Sequence, residues 1–185
     1  MPTPSRTSLD AIVEAGRRIV EEQGLAGLTM QRVAGAVGVR APSLYKHVGN
    51  RGELIRLIVE AVVVDLGRKL DAAISGESSS DLPELVRAFR SFAQNEPESY
   101  RVVFAPMPED WRPDQEVFTD ATSPVLRTTE AMVGPERALD AARLVTAWVH
   151  GFMTMELAGA FRIEGDLDRA FEFGIDRLVA ALSSG

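Results

Sequence analysis

Between Arg40 and Arg51 the chain places Arg40, Ser43, Tyr45, Lys46, His47 and Arg51, with only Glu53 nearby as a counter-charge. These are cations and hydrogen-bond donors. No nucleophile–base pair, carboxylate dyad or metal-ligand spacing accompanies them, so neither an enzyme nor a cofactor is expected. The chemistry open to such a set is recognition of a polyanion. Cations and hydroxyls suit phosphate oxygens, and a guanidinium can donate two of its N–H groups to guanine O6 and N7. A merely solvated face is the plain alternative, and the shortage of counter-charge weighs against it.

The elements that must position this set lie in the run from Thr29 to Arg51, TMQRVAGAVGVRAPSLYKHVGNR. It reads as two short helices joined by a tight turn. Thr29 can cap the first helix, and Val33 and Val37 share a face at helical spacing. Ala34 leaves room for a crossing helix, and Gly38 can take positive φ where the first helix must stop. Pro42 suits the first turn of the second helix. Leu44 and Val48 then face inward, and Arg40, Ser43, Tyr45, Lys46 and His47 face outward. A small residue, a glycine four positions on and an apolar residue six later give the spacing of a helix-turn-helix. Thr29 and Gln31 stand at the start of the first helix, beside free N–H groups, and are expected to touch phosphates. Ala41 and Pro42 offer no side-chain hydrogen bond, so apolar contact with thymine methyls is expected of them.

The charge is distributed accordingly. The net charge is −7. Residues 1–56 carry eight basic against five acidic side chains, a balance of +3, and residues 57–185 carry twelve against 22, a balance of −10. Phosphate binding depends on local positive charge, which sits with the helix-turn-helix. The absence of cysteine excludes disulfides and thiolate metal sites, and two histidines leave no structural zinc site in prospect. No apolar run is long enough to span a membrane and no signal-peptide core is seen, so a cytoplasmic protein is expected.

From Leu28 to Leu54, with Ala34, Gly38, Val39, Leu44, Tyr45, His47 and Val48 in place, the chain resembles the DNA-binding domain of the tetracycline-repressor family. Many members have an aromatic where Val48 stands and a lysine where Arg51 stands. Trp148, His150 and Gly151 match the Trp-x-His-Gly signature of that family's WHG-type C-terminal domain. The resemblance implies that Tyr45, Lys46 and Arg51 hold phosphates while Arg40, Pro42 and Ser43 lie near base edges. It also implies a homodimer on an inverted repeat of double-stranded DNA, most often a repressor released by a small molecule. A ligand-independent DNA-binding or protein-interaction module on the same fold is the rival.

No strand-like alternation or internal repeat is present, and the fold expected is all-α with about nine helices. A helix from Ser8, striped by Ile12, Ala15, Gly16, Ile19 and Gln23 and ended by Gly24, completes a three-helix head within residues 1–56. Arg6 stands before it, with a minor-groove contact as one reading and an untethered terminal arginine as the commoner one. Residues 57–185 form the regulatory and dimerisation part. Asn50 caps a fourth helix that is apolar nearly all round from Leu54 to Leu66, and SGESSS (75–80) is a loop. Further helices begin at Asp81 and near Pro97. A Pro- and acid-rich loop over 105–116 carries Trp111, and the next helix, to about Val133, holds Pro124 as a kink or break. A long helix over 136–161 and a last one capped by Asp166 supply the dimer interface, which charge at Gly174 or Ile175 should split. Phe89, Tyr100, Phe104, Met107, Trp111, Phe118, Trp148, Phe152 and Met153 are expected around an apolar ligand cavity, with the Trp111 loop as its cover. Glu156, isolated on an apolar helix, has two readings, a contact to a polar ligand group or an ion pair with an arginine such as Arg162 or Arg177, and the structural pair is the one expected.

Overall fold

The computed structural model describes residues 8–74 and 81–183. The loop expected over 75–80 and the terminal Arg6 lie outside the described residues. Among those described are nine α-helices and no strand: α1 Leu9–Gly27, α2 Met30–Ala36, α3 Ala41–Leu44, α4 Arg51–Ala73, α5 Leu82–Asn95, α6 Pro97–Phe104, α7 Gln115–Val133, α8 Ala138–Leu157 and α9 Leu167–Ser183, with one 3-10 turn at Glu109–Trp111. The chain separates into two compact units. The first runs to Asp65 and resumes over Glu96–Phe118; the second takes Leu66–Asn95 and the chain from Thr119 on. Helix α4 is continuous across residues 56 and 57, and α6 packs on α1.

In the first unit the helices begin where the side chains dictate. The Ser8 hydroxyl accepts the Ala11 N–H at 3.1 Å, and the Asn50 side chain accepts that of Glu53 at 2.9 Å. Glu53 in turn accepts the Gly49 N–H at 2.7 Å. Gly24, at φ +68°, breaks the α1 spiral, and a further turn then carries the chain to Gly27. Gln23, expected on the buried stripe, is exposed, and Val20 takes the inward place. Apart from Tyr100, the core of this unit is mainly aliphatic: Ile12, Val20, Leu28, Val33, Leu44, Leu54 and Ile55 are fully buried. Each side chain of that size contributes roughly 1.5–3 kcal/mol relative to exposure.

Polar bonds tie α6 to α1 and α4. Arg17 Nη2 lies 2.6 Å from Asp65 Oδ2 and 2.5 Å from Glu96 Oε2. The Glu21 carboxylate accepts the N–H groups of Glu98 (3.2 Å) and Ser99 (2.9 Å), which the first turn of α6 would otherwise leave unpaired.

In the second unit α5 buries the stripe that its sequence predicts, Leu82, Leu85, Val86, Phe89, Phe92 and Ala93. Pro124 does not break α7, which runs on through it. Helix α8 is shorter than the expected 136–161. Gly159, at φ +60°, ends it: Gly159 N–H donates to Glu156 O and Ala160 N–H to Met155 O, a Schellman closure. Asp166 caps α9 by accepting the Arg169 N–H at 3.1 Å. Glu156 forms a structural ion pair as expected, but with a different partner. Arg90 of α5, one helix face away, donates to it from Nε (3.0 Å) and Nη2 (2.5 Å).

Candidate nucleic-acid interface

Helix α2 starts at Thr29, whose hydroxyl accepts the Arg32 N–H at 3.2 Å, leaving its own proton free to donate outward. It stops at Gly38, which adopts φ +73° while Val39 N–H donates to Ala34 O at 2.9 Å and Gly38 N–H to Gly35 O at 3.2 Å. Both α2 and α8 therefore end by the same closure on glycine. Only glycine reaches that φ without strain, so the sharp turn into α3 is fixed by one residue.

Arg40 is the N-cap of α3, with an extended backbone, and Pro42 follows within the first turn. The regular helix is only four residues long. It continues as hydrogen-bonded turns, His47 N–H to Leu44 O at 2.8 Å and Val48 N–H to Leu44 O at 2.9 Å. Leu44 and Val48 are buried, as expected, and Val37 is half-buried. Arg40, Pro42, Tyr45, Lys46 and His47 are exposed, while Ala41 and Ser43 are half-buried beside them. Among the described residues, neither Arg40 nor Lys46 has an ion-pair partner. Gln31 and Thr29 are exposed at the start of α2.

Arg51 departs from this set. It is turned into the head rather than outward, with Nε donating to Leu28 O and Nη2 to Leu25 O, each at 2.8 Å. The reason is local: Gly24 and the turn after it leave carbonyls at the end of α1 without helical donors, and a guanidinium at the first residue of α4 reaches two of them. Nothing in the spacing alone reveals this, because the acceptors are backbone oxygens more than twenty residues away.

The residues expected around a ligand divide between the units. In the first, Tyr100 is buried with its ring 5.0 Å from that of Phe104. Met107 is half-buried and Phe118 exposed. Trp111, expected as the cover of a cavity, lies instead against Gly52, where an added Cβ would come 2.2 Å from its Nε1. In the second unit Phe89 and Met153 are buried. Trp148 and Phe152 join Phe161 and Phe171 in one ring cluster, at centroid distances of 4.9–5.8 Å. Gly174 is required there, since a Cβ would meet Trp148 Cζ2 at 2.0 Å, and Ile175 is buried. Ile175 is inside and Gly174, though half-exposed, has no room for a side chain against Trp148, so charge at either would disrupt this packing before it tested an interface. The exposed face of these helices carries Leu144, Met155 and Phe173 and a 340 Å³ groove lined by Trp148, Phe152, Ala170, Phe173, Gly174, Arg177 and Leu178. No helix among the described residues is long and apolar enough to cross a membrane, and no group of metal-ligating side chains is found among them.

A helix-turn-helix with an unpaired cationic face, carried by an all-helical chain, defines the class of helix-turn-helix regulators. Two family models match: bacterial regulatory proteins of the tetR family over residues 12–58, and the tetracyclin repressor-like C-terminal domain over residues 82–178. The chain belongs to the tetracycline-repressor family of transcriptional regulators. It is 29% identical over 185 residues to an uncharacterized helix-turn-helix transcriptional regulator of Mycobacterium tuberculosis, covering 97% of this chain and 83% of the relative. A protein of unknown function from Rhodococcus sp. RHA1 shares the fold at a TM-score of 0.80 and 23% identity, over 99% of each chain. BioQ, solved with its natural double-stranded DNA operator, shares it at 0.70 and 24% identity, over 97% of this chain and 99% of that one.

Proposed function

We propose that this regulator is a cytoplasmic, homodimeric repressor that binds an inverted repeat of double-stranded DNA and leaves it when a small, mainly hydrophobic molecule binds. The observation that carries the reading is the solvent face of α3, where Arg40 and Lys46 stand exposed and unpaired on a scaffold closed by Gly38. DNA recognition falls to residues 1–56, and sensing and dimerisation to residues 57–185.

In this reading Tyr45 and Lys46 hold phosphates with Thr29 and Gln31, and His47 lies beside them. Arg40 and Ser43 read base edges, and Ala41 and Pro42 touch thymine methyls. The operator-bound fold of BioQ supports the DNA partner. The exposed apolar face of α8 and α9 supports the dimer, and the aromatic clusters around Tyr100 and Trp148 suit an apolar ligand. Such a ligand shifts the DNA-binding equilibrium only by its differential affinity for the two states.

Selection from a pool of random duplexes tests this directly. The expected product is an inverted repeat with half-site centres whole turns apart, roughly 10 bp or a multiple. Arg40→Ala should select a different half-site. Recovery of no enriched sequence, or an unaltered sequence with Arg40→Ala, would reject the assignment.

A further inference from the structure

Arg51 and Trp111 meet at the first turn of α4. The Arg51 guanidinium lies over the Trp111 ring, 5.9 Å from its centroid. The indole rests on Gly52, which is buried and has no room for a Cβ. The segment that delivers Trp111 is itself fixed. Its 3-10 turn is closed by Trp111 N–H to Pro108 O at 3.0 Å, and Asp114 N–H donates to Glu60 Oε1 at 3.1 Å, a carboxylate also held by Arg56 at 2.7 Å. Glycine at 52 and tryptophan at 111 are thus two halves of one contact.

The same guanidinium closes the end of α1. Leu25 O, which takes Nη2 of Arg51, also accepts the Leu28 N–H at 3.3 Å. Leu28 O takes Nε, and the next residue is Thr29, the cap of α2. With two of its donor edges on carbonyls and a face on the indole, this cation is spent on the protein. A lysine ammonium carries its donors on a single atom and cannot reproduce a planar fork on two carbonyls together with the contact to the indole.

We infer that Arg51 is a positioning residue for DNA recognition, acting with Trp111 as its support, and not a phosphate contact. Through Leu25 and Leu28 it sets where α2 starts, and α2 in turn sets α3. The segment carrying Trp111 is thereby coupled to the recognition face. This rests on the DNA-binding reading of α3, but the local device can be judged without DNA.

Two measurements on the full-length protein test it. Hydrogen exchange is followed across residues 25–33 in wild type, Arg51→Ala, Arg51→Lys, Trp111→Ala, Trp111→Phe and the double alanine variant. Binding to a random-sequence duplex pool is measured against salt for wild type, Arg51→Ala and Lys46→Ala. Arg51→Ala and Trp111→Ala should each speed exchange in this segment by about tenfold, with the double variant no faster than Arg51→Ala alone. Trp111→Phe, which keeps a ring face, should largely restore protection, and Arg51→Lys should not. The salt slope should fall by about one unit in Lys46→Ala and stay at the wild-type value in Arg51→Ala. A one-unit fall for Arg51→Ala with unchanged exchange would make Arg51 a phosphate contact and overturn the inference. Unchanged exchange in Trp111→Ala would overturn the role of Trp111. If the wild type binds no duplex at all, the DNA reading fails, and the exchange pattern still decides whether Arg51 and Trp111 hold the α1–α2 turn.

Discussion

Arg90 on α5 and Glu156 on α8 form a bidentate pair, and the Arg90 guanidinium stands 4.5 Å from the centroid of the Phe171 ring on α9. Gln94 adds a third contact to Glu156 at 3.1 Å, and Asp168 a second carboxylate to Arg90 at 2.8 Å. One cation therefore joins three helices. Its pKa is raised, first by the hydrogen bond it donates to Glu156, with burial opposing.

The pair is mostly buried, with side-chain exposures of 11% and 14%, so removing one partner should cost more than the 0–1 kcal/mol typical of a surface bridge. Asp168 remains to Arg90 after Glu156 is lost, which keeps the cost below that of a stranded buried charge. Glu156→Ala is expected to destabilise by about 2 kcal/mol, and Glu156→Gln, which retains acceptor and shape, by about half as much. Urea unfolding of the two variants measures this. A negligible cost would show that α5, α8 and α9 hold together without the Arg90–Glu156 pair.

His150 on α8 gives the pH dependence. Burial lowers its pKa below the usual histidine value. The unfolded chain therefore binds the proton more readily than the folded one. The histidine's penalty is absent above about pH 6.5, grows as pH falls from there to the depressed folded value, and is constant below it. Wild-type stability should accordingly fall as pH drops from about 6.5 toward the depressed folded value, and His150→Gln should remove that part of the slope. Urea midpoints across the range decide it, and parallel curves for the two proteins would exclude the histidine as the cause.

What the sequence disclosed and what it withheld follow from the range of the forces involved. Caps at Ser8, Thr29, Asn50 and Asp166 and the buried stripe of α5 are local matters of side-chain reach and helical period, and they were readable from neighbouring residues. So was the turn at Gly38. The inward turn of Arg51 was not, because its acceptors are backbone carbonyls brought close only by the fold. Arg90 could not be named as the partner of Glu156 for a similar reason: 66 residues separate them, and several arginines are equivalent in sequence. The Pro-rich loop around Trp111 gives no hint that the indole lies against a glycine in another helix. The end of α8 was available in Gly159 and was missed by following apolar residues as far as Phe161.

Two glycines of α2 and α4 should respond to alanine in opposite directions. At Gly67 an added Cβ would meet backbone atoms of Ala121 on α7, Cα at 2.7 Å and O at 2.8 Å, so neither helix can yield by a rotamer change. Gly67→Ala should destabilise by about 1–3 kcal/mol. At Gly35, exposed near the end of α2, a Cβ meets nothing within 4 Å. Gly35→Ala should stabilise by about 0.5–1 kcal/mol through helix propensity and a less disordered unfolded state. Thermal unfolding of both variants gives the signs, and a Gly67→Ala variant no less stable than wild type would contradict the close approach of α4 to α7.

The dimer is tested best at Phe173. The ring is 63% exposed on α9, flanks the groove beside Trp148 and Phe152, and lies under Arg177 at 5.4 Å. Leaving a phenylalanine that open in the monomer is unfavourable, and a second copy of this face would remove it from water. Phe173→Asp places a charge there without filling the space that Gly174 keeps for Trp148, so the subunit should stay folded. Sedimentation should show monomers, with far-ultraviolet circular dichroism unchanged. Binding to the selected inverted repeat should fall by at least tenfold while weak, salt-sensitive binding to random duplex persists, because each head remains intact but the two half-sites are no longer engaged together. A dimer of undiminished stability in Phe173→Asp would place the interface away from this face of α8 and α9.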